Sequence, residues 1–239
     1  MKGAAALGDV PGHLAIPAGE GPWPGVVVIH ESYGLTGDIR AWAERFAHAG
    51  YLAFAPDLFH WGPTARCVMA AFRALRAGRG RAFDEIESVR AHLAARDDCT
   101  GRVGIAGFCM GGGFALLAAT RGFDVSAPSY PPLPPDADVL RGACPIVASF
   151  GAKDLSLRGA AAKLDEQLER LGVRHDVKEY AGASHSFLNA HEGWRAVIAR
   201  VTGIGRHEPS AEDAWRRIQA FFAAELKRSE GVESRRSDA

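Results

Sequence analysis

The stretch Val103-Gly-Ile-Ala-Gly-Phe-Cys-Met-Gly-Gly-Gly113 decides the fold prediction for this chain. Its first five residues form an apolar run that is typical of a buried strand, and the residues from Met110 to Thr120 have the composition of a buried helix. Between them lies the pattern G-x-C-x-G, which is typical of a sharp strand-to-helix turn whose neighbours must be small. The pattern therefore predicts that Cys109 lies on such a turn, at the N-terminus of a helix.

Apolar runs and amphipathic spacing indicate that strands and helices alternate along the chain. Short apolar or β-branched runs predict strands at Gly25–Ile29, Tyr51–Ala55, Val103–Gly107, Pro145–Phe150 and His175–Tyr180. Helical spacing predicts buried faces made by Ile39, Trp42 and Phe46; by Phe83, Ile86, Val89 and Leu93; by Leu164, Leu168 and Leu171; and by Trp215, Ile218, Phe222 and Leu226. This alternation favours an α/β fold with a central, mostly parallel sheet flanked by helices. Such sheets bind ligands beyond the carboxyl ends of their strands.

Capping and helix-breaking residues predict where several elements begin and end. Asp38 is expected to cap the first helix, Gly50 to end it, and Ser210 to begin the last helix. Five prolines within residues 128–135 predict a stiff surface connection, because proline cannot donate a hydrogen bond in the interior of a sheet.

The sequence shows no repeat and no domain boundary, which predicts one domain over residues 1–228. Residues 229–239 are polar and are expected to form a disordered tail. The segment 191–209 contains Trp194, Ile198 and Ile204. We expect this segment to form a pocket wall or an interface, or to be one more surface helix.

The charge balance and the cysteines exclude several classes of protein. Lys and Arg number 28 and Asp and Glu 28 among the 239 residues, whereas nucleic-acid-binding proteins usually have a basic surplus. The longest uncharged stretch, Val103–Thr120, holds five glycines, which favours a strand and a buried helix over a membrane span. The four cysteines form no C-x-x-C pair, so we expect reduced thiols and no metal site. A cytoplasmic monomer or small homo-oligomer is the resulting expectation.

A cysteine on a strand-to-helix turn needs a base, and the base needs an orienting group, before the thiol can act as a nucleophile. Asp154 follows the strand that ends at Phe150, and His185 follows the strand that ends at Tyr180. Enzymes with this type of turn have the chain order nucleophile, acid, histidine. The order predicts Cys109 as nucleophile, His185 as base and Asp154 as orienting acid, with the helix dipole favouring a thiolate. Taken singly, they would be an inert buried cysteine, a turn-forming aspartate and a solvated loop histidine.

The stretch His30-Glu-Ser-Tyr-Gly34 directly follows the first predicted strand. Hydrolases with a nucleophile on such a turn take one oxyanion-binding amide from this loop and one from the residue after the nucleophile. The prediction is therefore that the backbone N–H groups of Ser32 and Met110 form the oxyanion hole. Glu31 would place a carboxylate near the thiol, although alone it is an ordinary loop acid. The spacing is not H-E-x-x-H, which excludes a zinc protease.

Together these motifs resemble the dienelactone hydrolase family (carboxymethylenebutenolidase-like proteins) of the α/β-hydrolase superfamily. The resemblance rests on five stretches: His30–Gly34, Ala55–Phe59, Gly107–Gly112, Gly151–Asp154 and Ala183–Phe187. It implies an α/β-hydrolase fold and the hydrolysis of a small-molecule ester or lactone through an acyl-cysteine, with no metal or cofactor. By similarity, Cys109, His185 and Asp154 form the catalytic triad, and Glu31 associates with the resting thiol.

The sequence departs from the family at two positions that would bind a substrate carboxylate. Family members that act on dienelactone carry arginines where this chain has Trp61 and Asn189, and neither an indole nor an amide replaces a guanidinium. We therefore expect neutral or apolar esters and lactones to be preferred, unless Arg66 or Arg73 supplies the missing charge. The candidate pocket residues are Trp61, Asn189, Phe187 and Phe108.

Two other functions are compatible with the same residues. A broad-specificity carboxylesterase or thioesterase would use the triad on other acyl groups, and only a panel of substrates separates these activities. A non-hydrolytic protein would use Cys109 for binding or redox sensing, which the complete triad argues against.

Overall fold

The computed structural model describes residues 3–190 and 204–227, and its centre is an eight-stranded sheet. The strands are β1 (Gly3–Leu7), β2 (Val10–Ala15), β3 (Trp23–Ile29), β4 (Leu52–Pro56), β5 (Cys99–Phe108), β6 (Val125–Ser129), β7 (Ile146–Gly151) and β8 (His175–Tyr180). Their spatial order is β1-β2-β4-β3-β5-β6-β7-β8. The pairs β1/β2 and β2/β4 are antiparallel, and every other neighbouring pair is parallel. The predicted α/β-hydrolase architecture, with a mostly parallel sheet, is confirmed.

Helices cover both faces of this sheet. In the described segments they are α1 (Gly37–His48), α2 (Thr64–Ala77), α3 (Arg81–Ala94), α4 (Met110–Ala118), α5 (Ala160–Arg170) and α6 (Glu208–Leu226). Helices α1 and α6 pack on one face, and α2 to α5 pack on the other. All four predicted helix faces are buried as expected, except that Leu171 follows the end of α5 and is only half-buried.

The central strands are apolar throughout because both of their faces are buried. In β3, Val26 and Val28 belong to the core beneath α1 and α6, whereas Val27 and Ile29 belong to the opposite core. Successive side chains of a strand point to opposite faces, so a strand covered on both faces needs an unbroken apolar run. This is why the run at the end of β3 was recognisable in the sequence.

The sequence interpretation missed β1, β2, α2 and β6, and its expectation for Pro128 was wrong. Pro128 lies inside β6, in the interior of the sheet, and not on a surface connection. The N–H groups of Ser126 and Tyr130 donate toward β7 (2.9 and 2.7 Å), so the nitrogen of Pro128 faces β7 as well. The β6–β7 ladder is paired only at Ser126 and Ser129. The β6–β7 ladder is therefore interrupted at the position where Pro128 has no N–H to donate.

Two predicted helix starts also differ from the structure. Thr36 caps α1, because its hydroxyl oxygen accepts a hydrogen bond from the Ile39 N–H (3.5 Å). The Asp38 carboxylate instead accepts a hydrogen bond from the backbone N–H of Ala190 (3.0 Å). Helix α6 begins at Glu208, two residues before the predicted Ser210, with a proline in its first turn. Proline is well tolerated there, since the first turn has no intrahelical partner for its N–H groups.

Several sequence-based expectations fall outside the described residues. They are the expected roles of Trp194 and Ile198 and the expected disorder of residues 229–239. Over residues 3–190 and 204–227, no helix is both long and apolar enough to cross a membrane.

Glycines allow α4 to begin directly against the strands β3 and β5. A Cβ atom on Gly107 would lie 2.1 Å from the carbonyl oxygen of Gly111, and one on Gly111 would lie 2.4 Å from the carbonyl oxygen of Ile29. Real Cβ atoms do not approach backbone oxygens this closely. The turn between β5 and α4 therefore requires glycine at both positions, as the G-x-C-x-G pattern predicted.

Gly111→Ala should destabilise the protein, because the added methyl group meets backbone atoms that cannot move away like a side chain. We expect the free energy of unfolding to fall by about 1–3 kcal/mol or more, measured by urea denaturation. Gly62→Ala is the matched control, since its nearest neighbour would be the Cys67 Sγ atom at 3.7 Å, an ordinary contact. Equal stability of the two variants would show that α4 is free to shift.

Candidate active site

The predicted triad and Glu31 follow the carboxyl ends of parallel strands. Glu31 follows β3, Cys109 follows β5, Asp154 follows β7 and His185 follows β8. The carboxylates of Glu31 and Asp154 both act electrostatically on the Cys109 thiol. The structure thus brings Cys109 together with the two predicted acids at one edge of the sheet.

Cys109 is held in a backbone conformation that non-glycine residues rarely adopt. Its φ is +54°, in the left-handed region. Two backbone hydrogen bonds fix it there: its N–H donates to the Ser129 carbonyl oxygen (3.0 Å), and its carbonyl oxygen accepts from the Gly113 N–H (3.0 Å). A strained residue at a turn is typical of a functional position, because the surrounding structure must maintain the strain.

The surroundings of Cys109 favour the neutral thiol. Burial raises the pKa of this thiol to about 11, and the negative charges of Glu31 and Asp154 act in the same direction, against a hydrogen bond from the Met110 backbone. These surroundings oppose the thiolate that the helix dipole was expected to favour.

His185 and Asp154 form a close hydrogen-bonded pair. The Nδ1 atom of His185 lies 2.5 Å from Oδ2 of Asp154, whose side chain is only 3% exposed. The other carboxylate oxygen accepts hydrogen bonds from the backbone N–H and the hydroxyl of Ser156 (3.0 and 2.6 Å). Burial acts to raise the pKa of Asp154, but these hydrogen bonds from Ser156 and His185 outweigh it and leave the pKa below its ordinary value. The acid is thus a buried carboxylate that holds the imidazole by its Nδ1–H.

His185 also contacts an aromatic ring and a backbone amide. The ring of Tyr130 lies 5.1 Å from the imidazole, centroid to centroid. The Gly205 N–H donates to the His185 carbonyl oxygen (3.1 Å). The side chain is 24% exposed, so part of the imidazole is open to solvent while Nδ1 is held by Asp154.

The loop after β3 packs against the start of α4. Glu31 and Gly34 close a tight turn, in which the Gly34 N–H donates to the Glu31 carbonyl oxygen (3.1 Å). The missing Cβ of Gly111 leaves room for the carbonyl oxygens of Ile29 and His30. The two predicted oxyanion donors, Ser32 and Met110, therefore lie on adjoining backbone segments.

Three of the four candidate pocket residues are buried. Phe108 packs on Trp42, with ring centroids 5.0 Å apart, and Phe187 packs on Tyr180 at 5.2 Å. Both phenylalanines belong to the core beneath α1 and α6. Their buried rings offer no surface that a substrate could contact. They are therefore core residues on which the site rests, and not part of a pocket wall.

Asn189 is also fully buried, and its amide is already hydrogen-bonded at both ends. Its oxygen accepts a hydrogen bond from the Tyr130 hydroxyl, and its nitrogen donates to the Asp38 carboxylate (2.6 Å). Asn189 therefore joins the start of α1 to the tyrosine that contacts His185. Sequence reasoning missed Tyr130, because a tyrosine beside several prolines carries no motif.

Trp61 packs against the opposite core from Phe108 and Phe187. It lines a groove of about 610 Å³ between α2 and α3, together with Arg73 and Arg81. Its ring faces the Arg81 guanidinium at 5.2 Å, and its N–H donates to the Leu58 carbonyl oxygen (3.2 Å). A role for Trp61 in substrate binding stays a prediction.

The cysteines and acids form no metal centre in the part of the chain that the structure describes. No group of three or more His, Cys, Asp or Glu side chains there is arranged to hold a metal ion. The four cysteines are free thiols, without a disulfide between them.

Comparisons with known proteins identify the family to which this chain is similar. The dienelactone hydrolase family matches residues 10–226. A Synechocystis sp. protein provisionally named a carboxymethylenebutenolidase is 28% identical over 243 residues, covering 92% of this chain and 93% of its own. Protein usf of Aquifex pyrophilus is 30% identical, with 89% and 92% covered. The crystal structure of a provisionally named dienelactone hydrolase from Klebsiella pneumoniae is 25% identical with a TM-score of 0.76, and the match covers 93% of this chain and 98% of the other.

The family match extends from β2 to the end of α6, and thus includes Glu31, Cys109, Asp154 and His185. It confirms the resemblance based on the five sequence stretches. It also confirms the prediction of a hydrolase that acts on ester or lactone bonds. This chain belongs to the dienelactone hydrolase family.

Proposed function

We propose that this protein hydrolyses esters or lactones through an acyl-enzyme on Cys109, with His185 as base and Asp154 as its orienting acid. The observation that carries the proposal is the 2.5 Å pair between His185 and a buried Asp154, at the sheet edge where Cys109 is held at φ +54°. A buried carboxylate on Nδ1 fixes the tautomer that leaves Nε2 free to accept a proton.

The proposed reaction has two steps, and His185 carries the proton in both. His185 Nε2 takes the thiol proton as the Cys109 sulfur attacks the substrate carbonyl carbon, and then gives this proton to the leaving alkoxide. The acyl group is now a thioester on Cys109. A water molecule loses a proton to His185 and attacks the thioester carbon. The thiolate that leaves recovers the proton from His185, and the carboxylic acid is released.

Backbone amides of Ser32 and Met110 would stabilise the oxyanion that forms in both steps. The Met110 backbone already forms a hydrogen bond with the Cys109 sulfur, so a carbonyl attacked by the sulfur would lie close to the same donor. Loss of one such donor typically reduces kcat by ~10²-fold or more.

The raised pKa of Cys109 argues against the alternative of a redox sensor. Cysteines that sense oxidants are usually thiolates at neutral pH, with a lowered pKa and an electropositive environment. Cys109 has the opposite surroundings, namely burial and two carboxylates. A thiol that stays protonated until a base and a substrate are in place fits a hydrolase better.

Exposed apolar side chains adjoin the proposed site. Leu155, which is 82% exposed, follows Asp154 directly, and Tyr33 follows Ser32 and is 44% exposed. Ile204 precedes the glycine whose N–H binds the His185 carbonyl oxygen. These neighbours support a substrate that is apolar near its reacting bond, whereas the buried Asn189 offers no cation for a carboxylate.

Cys109→Ala and His185→Ala should each reduce kcat for a p-nitrophenyl ester by on the order of 10⁴-fold, because members of a catalytic unit do not act independently. The control is Cys144→Ala, which removes a thiol just before the amino end of β7, opposite the proposed site. Retention of wild-type kcat by Cys109→Ala would refute the mechanism. Far-ultraviolet circular dichroism checks that each variant is folded.

Glu31→Gln should make Cys109 more reactive toward iodoacetamide at pH 8. The Glu31 charge raises the thiol pKa, so its removal lowers the pKa and increases the thiolate fraction at a fixed pH. We expect a several-fold faster alkylation, measured by mass spectrometry of the Cys109 peptide. Glu20→Gln, an exposed acid before β3, should leave the rate unchanged. A slower rate in Glu31→Gln would contradict the proposed role of this carboxylate.

A neutral substrate should be preferred over its anionic counterpart. A buried charge without a partner costs about 3–5 kcal/mol, so kcat/KM for a dienelactone carboxylate should be at least ~100-fold below that for its methyl ester. Preference for the free acid would show that a cation reaches the substrate. Alanine variants of Arg66 and Arg73 would then identify it.

A further inference from the structure

We propose that His30 is a positioning residue that fixes the direction of the Ser32 N–H, one of the two oxyanion donors. The inference rests on the function proposed above. His30 lies at the end of β3 and is fully buried. Its Nδ1 atom lies 2.7 Å from the Glu31 carbonyl oxygen, and its Nε2 atom lies 3.1 Å from the Leu58 backbone nitrogen.

These two partners determine which nitrogen of His30 carries the proton. The Leu58 N–H can only donate, so Nε2 must accept and carries no hydrogen. Burial lowers the pKa of His30, so that the ring is neutral and has a single proton. This proton is on Nδ1 and is donated to the Glu31 carbonyl oxygen.

Holding the Glu31 carbonyl oxygen also holds the Ser32 N–H, because both belong to the same peptide unit. A trans peptide is planar, and its C=O and N–H point in opposite directions. The Glu31 oxygen accepts a second hydrogen bond from the Gly34 N–H (3.1 Å). Two donors thus prevent rotation of this peptide plane and aim the Ser32 N–H away from His30.

His30 also connects this loop to its surroundings on two sides. Its other nitrogen binds the backbone just after β4, and its ring meets the edge of Phe59 at 4.6 Å. Its own carbonyl oxygen faces Gly111 on α4, one residue after the second oxyanion donor, Met110. The His30 imidazole therefore connects the segment that carries the Ser32 N–H to the sheet, beside the start of α4, which carries the Met110 N–H.

Substitution of His30 should affect the transition state more than the bound substrate. A donor aimed at the oxyanion acts when negative charge develops, so its misorientation lowers kcat and leaves KM nearly unchanged. Alkylation of Cys109 by iodoacetamide creates no oxyanion. Its rate should therefore be the same in His30 variants and in the wild-type protein.

The decisive pair of variants is His30→Asn and His30→Gln. The Asn side-chain amide can place its N–H near the position of Nδ1, toward Glu31, whereas Gln reaches the position of Nε2, toward Leu58. We expect kcat for a p-nitrophenyl ester to fall roughly 10- to 100-fold in His30→Gln. In His30→Asn most of this loss should be recovered, although Asn leaves the larger cavity. If His30 had only a structural role, His30→Gln would keep more activity than His30→Asn, because the larger Gln side chain fills more of the space that the imidazole leaves.

His13→Asn is the matched control. His13 is a buried histidine on β2, a strand that carries none of the proposed site residues, and it binds Glu44 (2.9 Å). We expect it to lower the melting temperature without changing kcat.

Several outcomes would overturn the inference. They are an unchanged kcat in His30→Gln, equal losses in Asn and Gln, or a parallel fall in the rate of Cys109 alkylation. If a variant does not fold, the nitrogen-15 spectrum of the wild-type imidazole decides, since a proton on Nε2 or a charged ring would refute the proposal. Full hydrolysis by Cys109→Ala would instead refute the proposed function itself. Failure of the two proposals is thus distinguishable.

Discussion

The close approach of α4 to the ends of β3 and β5 is the constraint on which the site depends. A Cβ atom added to Gly107 or Gly111 would lie only 2.1–2.4 Å from a backbone carbonyl oxygen. This contact forces Cys109 into the left-handed region and places the first amides of α4 beside the loop that follows β3. The proposed nucleophile and the proposed oxyanion donors thus depend on one packing contact between backbones.

A second constraint is electrostatic, since two acids and one thiol are placed together in a buried edge of the sheet. Asp154 remains charged because hydrogen bonds from Ser156 and His185 outweigh the cost of its burial. Burial above all, and also the charges of Glu31 and Asp154, raise the pKa of the Cys109 thiol and so favour its neutral form. The proposed nucleophile is therefore a neutral thiol at rest, and it depends on His185 to accept its proton when it attacks a carbonyl substrate.

Predictions from the sequence were most accurate where a few neighbouring residues determine both the chemistry and the backbone geometry. The strand-to-helix turn needs small residues on either side of Cys109, and its pattern identified both the turn and the fold. The strands around it are buried on both faces, so unbroken apolar runs identified them as well. Strand β6 was missed because it contains Pro128, which is tolerated only because the ladder to β7 is interrupted there. No local pattern encodes such an interruption.

By itself the sequence determined the family, the mostly parallel character of the sheet and the order of Cys109, Asp154 and His185, because these depend on short motifs and on their order along the chain. Only the tertiary structure decided that Asn189 is a buried link to Tyr130 and that Phe108 and Phe187 are core residues. It alone also revealed the two hydrogen bonds of His30. The physical reason is that the burial of a side chain and its hydrogen-bond partners depend on contacts between segments that are distant in the sequence. A short motif reflects only the local backbone geometry of its own residues.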